Sequence, residues 1–506
     1  MKLLKSLSLI LSGVILLLAL GGCVTTGGTP SAQSPDESSL SGQGASSQGN
    51  EQSSDQELSG PVEISWGVQR QKTSGENEAY ERVAQAYNET NSKGITVTVN
   101  FVEYTDSAQW NTWLTSQLIG GVANEVVLSW HIPAIEHYKK GLLVDLKPYL
   151  DQPNPYSESS SSWWDNFTDG LVNQNMDSIT GVVPSVPLGT TAVKVFYNKG
   201  LFERLGITEL PATYNELIEI CQIIQADGAA PFIVANQSPN DDHFNWFHRM
   251  FMDQTIEPLI DDIDLTGNGV VELNEICAAY DKGLINLEDP RWAVPLPILK
   301  EFSQYWYPGY NGLDKTTAND LFIRQDGAMI MAVGHTLKTY IENPDLDFEI
   351  GFFSFPYLTK ENTEYAVEKP YEMGGAPQNN MCIPASASGD KLTAAIDFLQ
   401  FLSSEKGAAL LAEGLWWTPP FKEVKSMPDA MAGMYIEGST SKLRLLAPQT
   451  DQLLYQDDTK LGQLFLEGKI TAEEFSASLN EDLKTSVEAL KQSNDWNEAN
   501  NWGFNP

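Results

Sequence analysis

The chain has 506 residues with 31 basic against 67 acidic side chains, a formal net charge of -36 that repels phosphate backbones and argues against nucleic acid as a partner. A single core does not extend over such a length, and 42% hydrophobic with 10% aromatic residues can fill several domains.

In chain order, a positive start (Lys2, Lys5) precedes an apolar run from Leu7 to Leu20. The run is too short for a membrane span and reads as a secretion signal over residues 1–22. It ends at Leu20-Gly21-Gly22-Cys23, which resembles the bacterial lipobox and implies cleavage before Cys23, a lipid on its sulfur and a tether to the outside of the membrane. A plain signal peptide with an incidental cysteine is the alternative. Residues 23–60 are rich in Ser, Gly and Gln and poor in large apolar side chains, so they read as a flexible linker.

Pro61 to Val68, Gly94 to Val102 and Glu125 to Trp130 alternate like strands, with helical spacing at Asn77 to Asn91 and Ser107 to Ile119 between them. That order predicts an open, mostly parallel α/β sheet. Ligands of such sheets sit outside the carboxyl ends of the strands, where Trp66, Tyr104, Trp130 and His131 fall; core packing is the alternative for each aromatic. Trp163-Trp164, in a Ser-rich loop, reads as a cleft rim. Val183 to Gly206 opens with two prolines and a glycine and continues as a β-branched run, the pattern of a chain crossing from one lobe to another. Helices are predicted over Pro211 to Gln225, where Thr213 and Glu216 form a capping box, and over Phe244 to Phe251, where Trp246 and His248 face either core or ligand.

Asp264 to Glu275 reads D-L-T-G-N-G-V-V-E-L-N-E. A twelve-residue calcium loop needs oxygen ligands at positions 1, 3, 5, 7, 9 and 12 and a glycine at 6. Asp264, Thr266, Asn268, the Val270 carbonyl, Glu272 and Glu275 fill those places, with Gly269 at the bend. Helical patterns flank the loop, so it resembles an EF-hand, with calcium in a stabilising role as the expected cofactor; an acidic turn that binds nothing is the alternative.

Further on, Leu321 to Val333 leads into Gly334-His335, Met373 to Pro384 repeats the Gly/Pro crossing character, and Gly414 to Phe421 carries Trp416-Trp417 at a third such place. The end is helical to about Lys491, with a polar tail at 493–506 expected to be poorly ordered. Cys221, Cys277 and Cys382 suit neither a disulfide framework nor a zinc site.

Tyr197-Asn198-Lys199-Gly200-Leu201-Phe202-Glu203-Arg204-Leu205-Gly206, the segment before His335 and the ordered set of crossings together resemble the bacterial extracellular solute-binding protein family 1, maltose-binding-protein-like receptors of carbohydrate ABC transporters. The resemblance implies an α/β, two-lobed periplasmic-binding-protein-like fold with three hinge crossings, to which the loop read above adds an EF-hand-like insertion. Lobe 1 would comprise 61–186 plus 378–414, and lobe 2 would comprise 187–377 plus 415–492 with the loop 264–275. It further implies a non-enzymatic monomer that binds a sugar between its lobes and hands it to membrane permease subunits. Trp66, Trp130, His131, Trp246, His335, Trp416 and Trp417 are the expected cleft residues, with Gly375 and Ala376 near a hinge. His335 stands where the family commonly has tryptophan. No nucleophile elbow, P-loop, dinucleotide fingerprint or zinc-protease motif occurs. A surface-anchored glycan-acting enzyme, whose paired carboxylates sequence spacing would not reveal, and a sugar sensor or adhesion protein stay open as rivals.

Overall fold

Val62, Ile64, Trp66 and Val68 turn inward from strand β1 (Val62–Gln69), which pairs in parallel with β2 (Ile95–Val102) and β3 (Val126–Ser129). The computed structural model describes residues 58–69, 75–103, 107–157, 161–168, 170–237, 243–422, 427–436, 443, 445–446 and 452–504. The signal segment, Cys23, nearly all of the linker and Tyr104 lie outside the described residues. Among those described, no helix is long and apolar enough to cross a membrane.

The remaining strands are β4 (Val186–Asn198), β5 (Ala230–Ile233), β6 (Gly327–Val333), β7 (Ile350–Phe353) and β8 (Gly374–Cys382). Strand order is β2-β1-β3-β8-β4-β6-β5, with β7 also on β4. The thirteen residues of β4 serve two groups of strands. Its first half runs antiparallel to β8, from Val186 opposite Met381 to Thr190 opposite Pro377, and β8 in turn pairs antiparallel with β3. Its second half pairs antiparallel with β6 and β7, from Val193 opposite Val333 to Asn198 opposite Ile350. Where the halves meet the register slips between Thr190 and Ala192, and Gly374 and Gly375 take φ of 151° and 70°, conformations that glycine adopts without a Cβ penalty.

Two bodies of buried side chains flank this junction. One packs Trp66, Tyr87, Phe398 and Phe401 between β1 and the helices Glu76–Thr90, Asp390–Leu402 and Glu405–Leu415. The other gathers Phe247, Phe251, Phe302 and Trp306 on one face of the second strand group and Phe196, Phe322 and Tyr340 on the opposite face. The apolar stripe of the helix Ala472–Asn494 (Phe475, Leu479, Leu483, Val487) completes the second body, after a start capped by Thr471 and Glu474.

The polar tail departs from expectation. Residues Glu498–Gly503 form a 3-10 helix, and Trp502 is 6% exposed with its Nε1–H donating to Asp281 at 2.9 Å. The Lys282 ammonium lies 5.2 Å from the Trp502 ring. One large aromatic with an indole N–H was enough to dock a segment whose average composition is polar. Cys221, Cys277 and Cys382 are buried free thiols, and burial pushes those of Cys277 and Cys382 up to about 12.

Candidate functional site

At the junction lies a cavity of about 230 Å³. Its first wall is the carboxyl end of β1 (Val68, Gln69) and the start of the helix Glu76–Thr90 (Glu76, Tyr80). The opposite wall is the carboxyl end of β6, Val333, continuing into Gly334 and His335. Thr190 and Ala192 of β4, Gln378 and Asn379 of β8, and Trp416 to Thr418 close it between the walls. Strand ends from two sheet regions face one space, the place where open α/β sheets hold ligands.

The helix Glu405–Leu415 ends at Trp416, which takes φ 53°, ψ 33°. The left-handed region is costly for so bulky a side chain, about 1–3 kcal/mol, and it turns the chain so that adjacent rings part. Trp416 packs on the body around Phe196 and Tyr340, while Trp417 packs on the body around Trp66 and Phe398. The Trp417 ring meets Tyr80 edge-on at 5.9 Å. Beyond them Thr190 N–H donates to the Thr418 carbonyl at 2.8 Å, so this segment runs beside β4 at the junction.

His335 is exposed at the cavity, and desolvation there holds its pKa below the ordinary 6.5. A neutral imidazole donates through one nitrogen and accepts through the other. Gln69, Gln378 and Asn379 add planar amides, each able to donate and accept at once. The cavity therefore combines flat aromatic faces with neutral hydrogen-bonding groups. Glu76 is the one carboxylate among its described lining residues.

His335, Trp416 and Trp417 are thus brought together, and the other sequence-predicted positions are not. Trp66 lies mid-strand, 0% exposed, with Tyr80 and Phe398 edge-on at 5.2 and 5.3 Å; β1 runs three residues further than its ring, so Trp66 is a core residue with no face for a ligand. Trp163 is likewise buried, donating to Ser403 Oγ at 2.7 Å, and Trp164 packs half-buried against the same core. Trp130 caps the helix His131–Lys139 and packs beside Trp110 and Leu143, away from the cavity wall; the side chain of His131 lies outside the described residues. Trp246 packs on the second body under the Lys315 ammonium, 5.2 Å from its ring. Gly375 and Ala376 stand on β8 just before the lining pair Gln378 and Asn379. Sequence reasoning missed Gln69, Tyr80, Gln378 and Asn379; the Gln378-Asn379-Asn380 run directly after a Gly/Pro crossing was the available signal.

The loop 264–275 follows the helix His243–Ile263 and runs into the first turn of the helix Leu273–Asp281. Asp264 Oδ2 accepts from Gly269 N–H at 2.9 Å, Asn268 Oδ1 from Val270 N–H at 2.8 Å, and the Glu275 oxygens from the Thr266 and Glu272 amides at 2.9 and 2.7 Å. Val271 is buried in the second body. Glu275 is 0% exposed with no cationic side chain paired to it among the described residues, and burial pushes its pKa above the ordinary 4.5. No group of three His, Cys, Asp or Glu side chains among the described residues is placed to hold a metal. A calcium loop in this order would draw half of its six ligands from Thr266, Asn268 and the Val270 carbonyl, donors outside that grouping.

A sheet whose strands β4 and β8 stitch two cores around one aromatic and amide cavity is the architecture of a two-lobed solute-binding protein. The chain belongs to the bacterial extracellular solute-binding protein family, whose model matches residues 72–409. It is similar in fold to a family 1 extracellular solute-binding protein from Bifidobacterium longum subsp. infantis (17% identity, 84% of this chain and 100% of that one, TM-score 0.61). It is also similar to maltose-bound MalE3 of T. maritima (16%, 84% and 99%, 0.61) and to a chitin oligosaccharide binding protein (16%, 85% and 99%, 0.62). No curated protein sequence matches it.

Proposed function

We propose that this protein is the lipid-anchored, extracellular receptor of a carbohydrate ABC importer. It takes up a sugar or oligosaccharide in the cavity between its lobes and presents it to membrane permease subunits. The observation that carries this reading is the cavity itself: the half-buried Trp416 and Trp417 offer faces for the C–H side of a pyranose, and Gln69, Gln378, Asn379 and neutral His335 offer partners for its hydroxyls. Fold neighbours include maltose-bound MalE3, RafE in complex with raffinose and a chitin oligosaccharide binding protein, which supports the substrate class. Binding favours a closed arrangement by its differential affinity for it, with the register slip at Thr190 and the glycines 374 and 375 as the compliant points. A glycosidase needs two carboxylates across the scissile bond, and Glu76 alone stands among the described lining residues.

Cys23 supplies the anchor in this reading, and residues 23–60 the spacer between lipid and receptor. Calcium in the loop 264–275 would be held by Asp264, Thr266, Asn268, the Val270 carbonyl, Glu272 and Glu275, and supplies positive charge where the Glu275 carboxylate is buried. Isothermal titration against maltose, raffinose, galactose, xylobiose and N,N′-diacetylchitobiose tests the receptor reading. Saturable binding of at least one sugar is expected, and heat from none of them, with turnover of an oligosaccharide instead, would overturn it.

A further inference from the structure

Asn379 is a non-glycine residue inside a strand at φ 53°, the left-handed region. Its neighbours keep ordinary antiparallel pairing, Pro187 opposite Asn380 and Gly189 opposite Gln378, so the distortion is confined to one residue. Asn380, on the other side of the strand, is 2% exposed and its Oδ1 accepts from Asn175 at 2.9 Å, an internal tie of the first lobe. Asn379 is half-buried on the cavity wall, and among the described residues its amide makes no hydrogen bond. Its amide also has room beside a diagonal neighbour that is glycine: a Cβ on Gly189, the residue paired with Gln378, would stand 3.0 Å from Asn379 Nδ2 and 3.6 Å from Trp417 Cβ. A left-handed backbone, an unoccupied amide and a side-chain-free neighbour converge on one point of the cavity, beside an aromatic ring. Local strain at such a place is kept when it aims a group.

We propose that Asn379 is a specificity-determining residue that reads two adjacent hydroxyls of a pyranose, its Nδ2 donating to one and its Oδ1 accepting from the other, while the ring lies on Trp417 or Trp416. The inference rests on the receptor reading above and deepens it. An amide is the side chain suited to a vicinal pair, because it donates and accepts in one plane, whereas a carboxylate only accepts. A site built to hydrogen-bond a hydroxyl rejects the analogue that lacks it more strongly than an apolar pocket rejects an extra methylene. Asn379 thereby makes the cavity selective for the position and orientation of one hydroxyl pair rather than for apolar bulk.

The test uses the full mature chain, first titrated against maltose, raffinose, galactose, xylobiose and N,N′-diacetylchitobiose. The tightest of these is then compared with its singly deoxygenated analogues, for wild type, Asn379→Gly and Asn379→Asp. Asn379→Gly relieves the left-handed backbone, so its melting temperature should equal or exceed that of wild type while its affinity falls at least tenfold. Wild type should discriminate at least tenfold against deoxygenation at two adjacent carbons, and the glycine variant should lose that discrimination at those carbons alone. Asn379→Asp should keep part of the affinity through its acceptor oxygen. If the glycine variant binds like wild type, or keeps the same deoxy-sugar profile, Asn379 is not the reader, although the receptor reading stands. If wild type itself binds no sugar, both fall together.

Discussion

The hydroxyl of Tyr435 lies 2.9 Å from Thr168 Oγ1, joining two stretches that belong to different bodies. Thr168 is buried in the first lobe, where its N–H donates to the Pro420 carbonyl. Tyr435 follows Met431 and Met434, both fully buried with Phe196 and Tyr340 in the second. Tyr435→Phe deletes this link and nothing else. It should lower stability by about 1 kcal/mol and raise the radius of gyration of the sugar-free protein measured by small-angle scattering. An unchanged radius would mean that the bond does not hold the lobes together.

Trp416 combines a strained backbone with a cavity-facing ring. Trp416→Gly should relax the first and remove the second. Melting temperature should change little, while sugar binding weakens by about 2 kcal/mol, roughly thirtyfold in Kd. Titration of the variant beside Trp417→Ala, which has no backbone strain to release and should lose both stability and affinity, separates the two contributions.

Calcium should stabilise the chain through Glu275. The buried carboxylate has a raised pKa, so its protonated form is favoured in the folded state. The stability it contributes is complete below its unfolded value near 4.5 and is lost as pH rises through the folded value. Above that value the carboxylate is held by two backbone amides with no cationic side chain paired to it among the described residues, and a bound cation would relieve the charge. Calcium at a hundredfold over its Kd should add about 2.7 kcal/mol, read as a rise in melting temperature that a chelator reverses. Glu275→Gln should abolish the response without unfolding the metal-free protein.

Acidification should act through the histidines. Desolvation lowers the pKa of His335, and desolvation together with the charge of Lys140 lowers that of His137. The unfolded chain then binds more protons than the native one below about pH 6.5. The stability contributed by both groups is complete above that pH and is lost as pH falls through their folded values. Sugar affinity should fall over the same window, because a protonated His335 has no acceptor. Denaturant titrations from pH 7.5 to 5 check the first effect, and a flat affinity profile in His335→Gln checks the second.

The final segment is part of the second body. Truncation after Asn494 should cost about 3 kcal/mol, since it uncovers the site where Trp502 is buried. Equal denaturation midpoints for the truncated and full chains would contradict this.

Much of the architecture was legible because it follows from periodicity and punctuation. The alternation of β1 and β2, the capping boxes at Thr213 and Thr471, and the Gly/Pro character before β4 and β8 are local signals, and each element formed near its expected bounds. The site was less legible because a tryptophan near a strand end looks the same whether its strand stops or continues. Trp66 is core because β1 extends to Gln69, and Trp163 is core because Ser403, 240 residues away, satisfies its indole nitrogen. Asn379 carried no local mark to separate it from Asn380. Their division of labour comes from the side of the strand each occupies, which only the pairing of β8 with β3 and β4 fixes.

Adjacent residues with side chains rooted in separate bodies make the chain between them a gauge. Trp416 and Trp417 share one peptide plane, and each ring is held by a different core. Any rotation of one body against the other must therefore appear as a change in the torsions that flank that plane, with the indoles swinging as pointers. Their mutual orientation converts an opening angle into an optical signal, so near-ultraviolet circular dichroism of this pair should report closure without any added label.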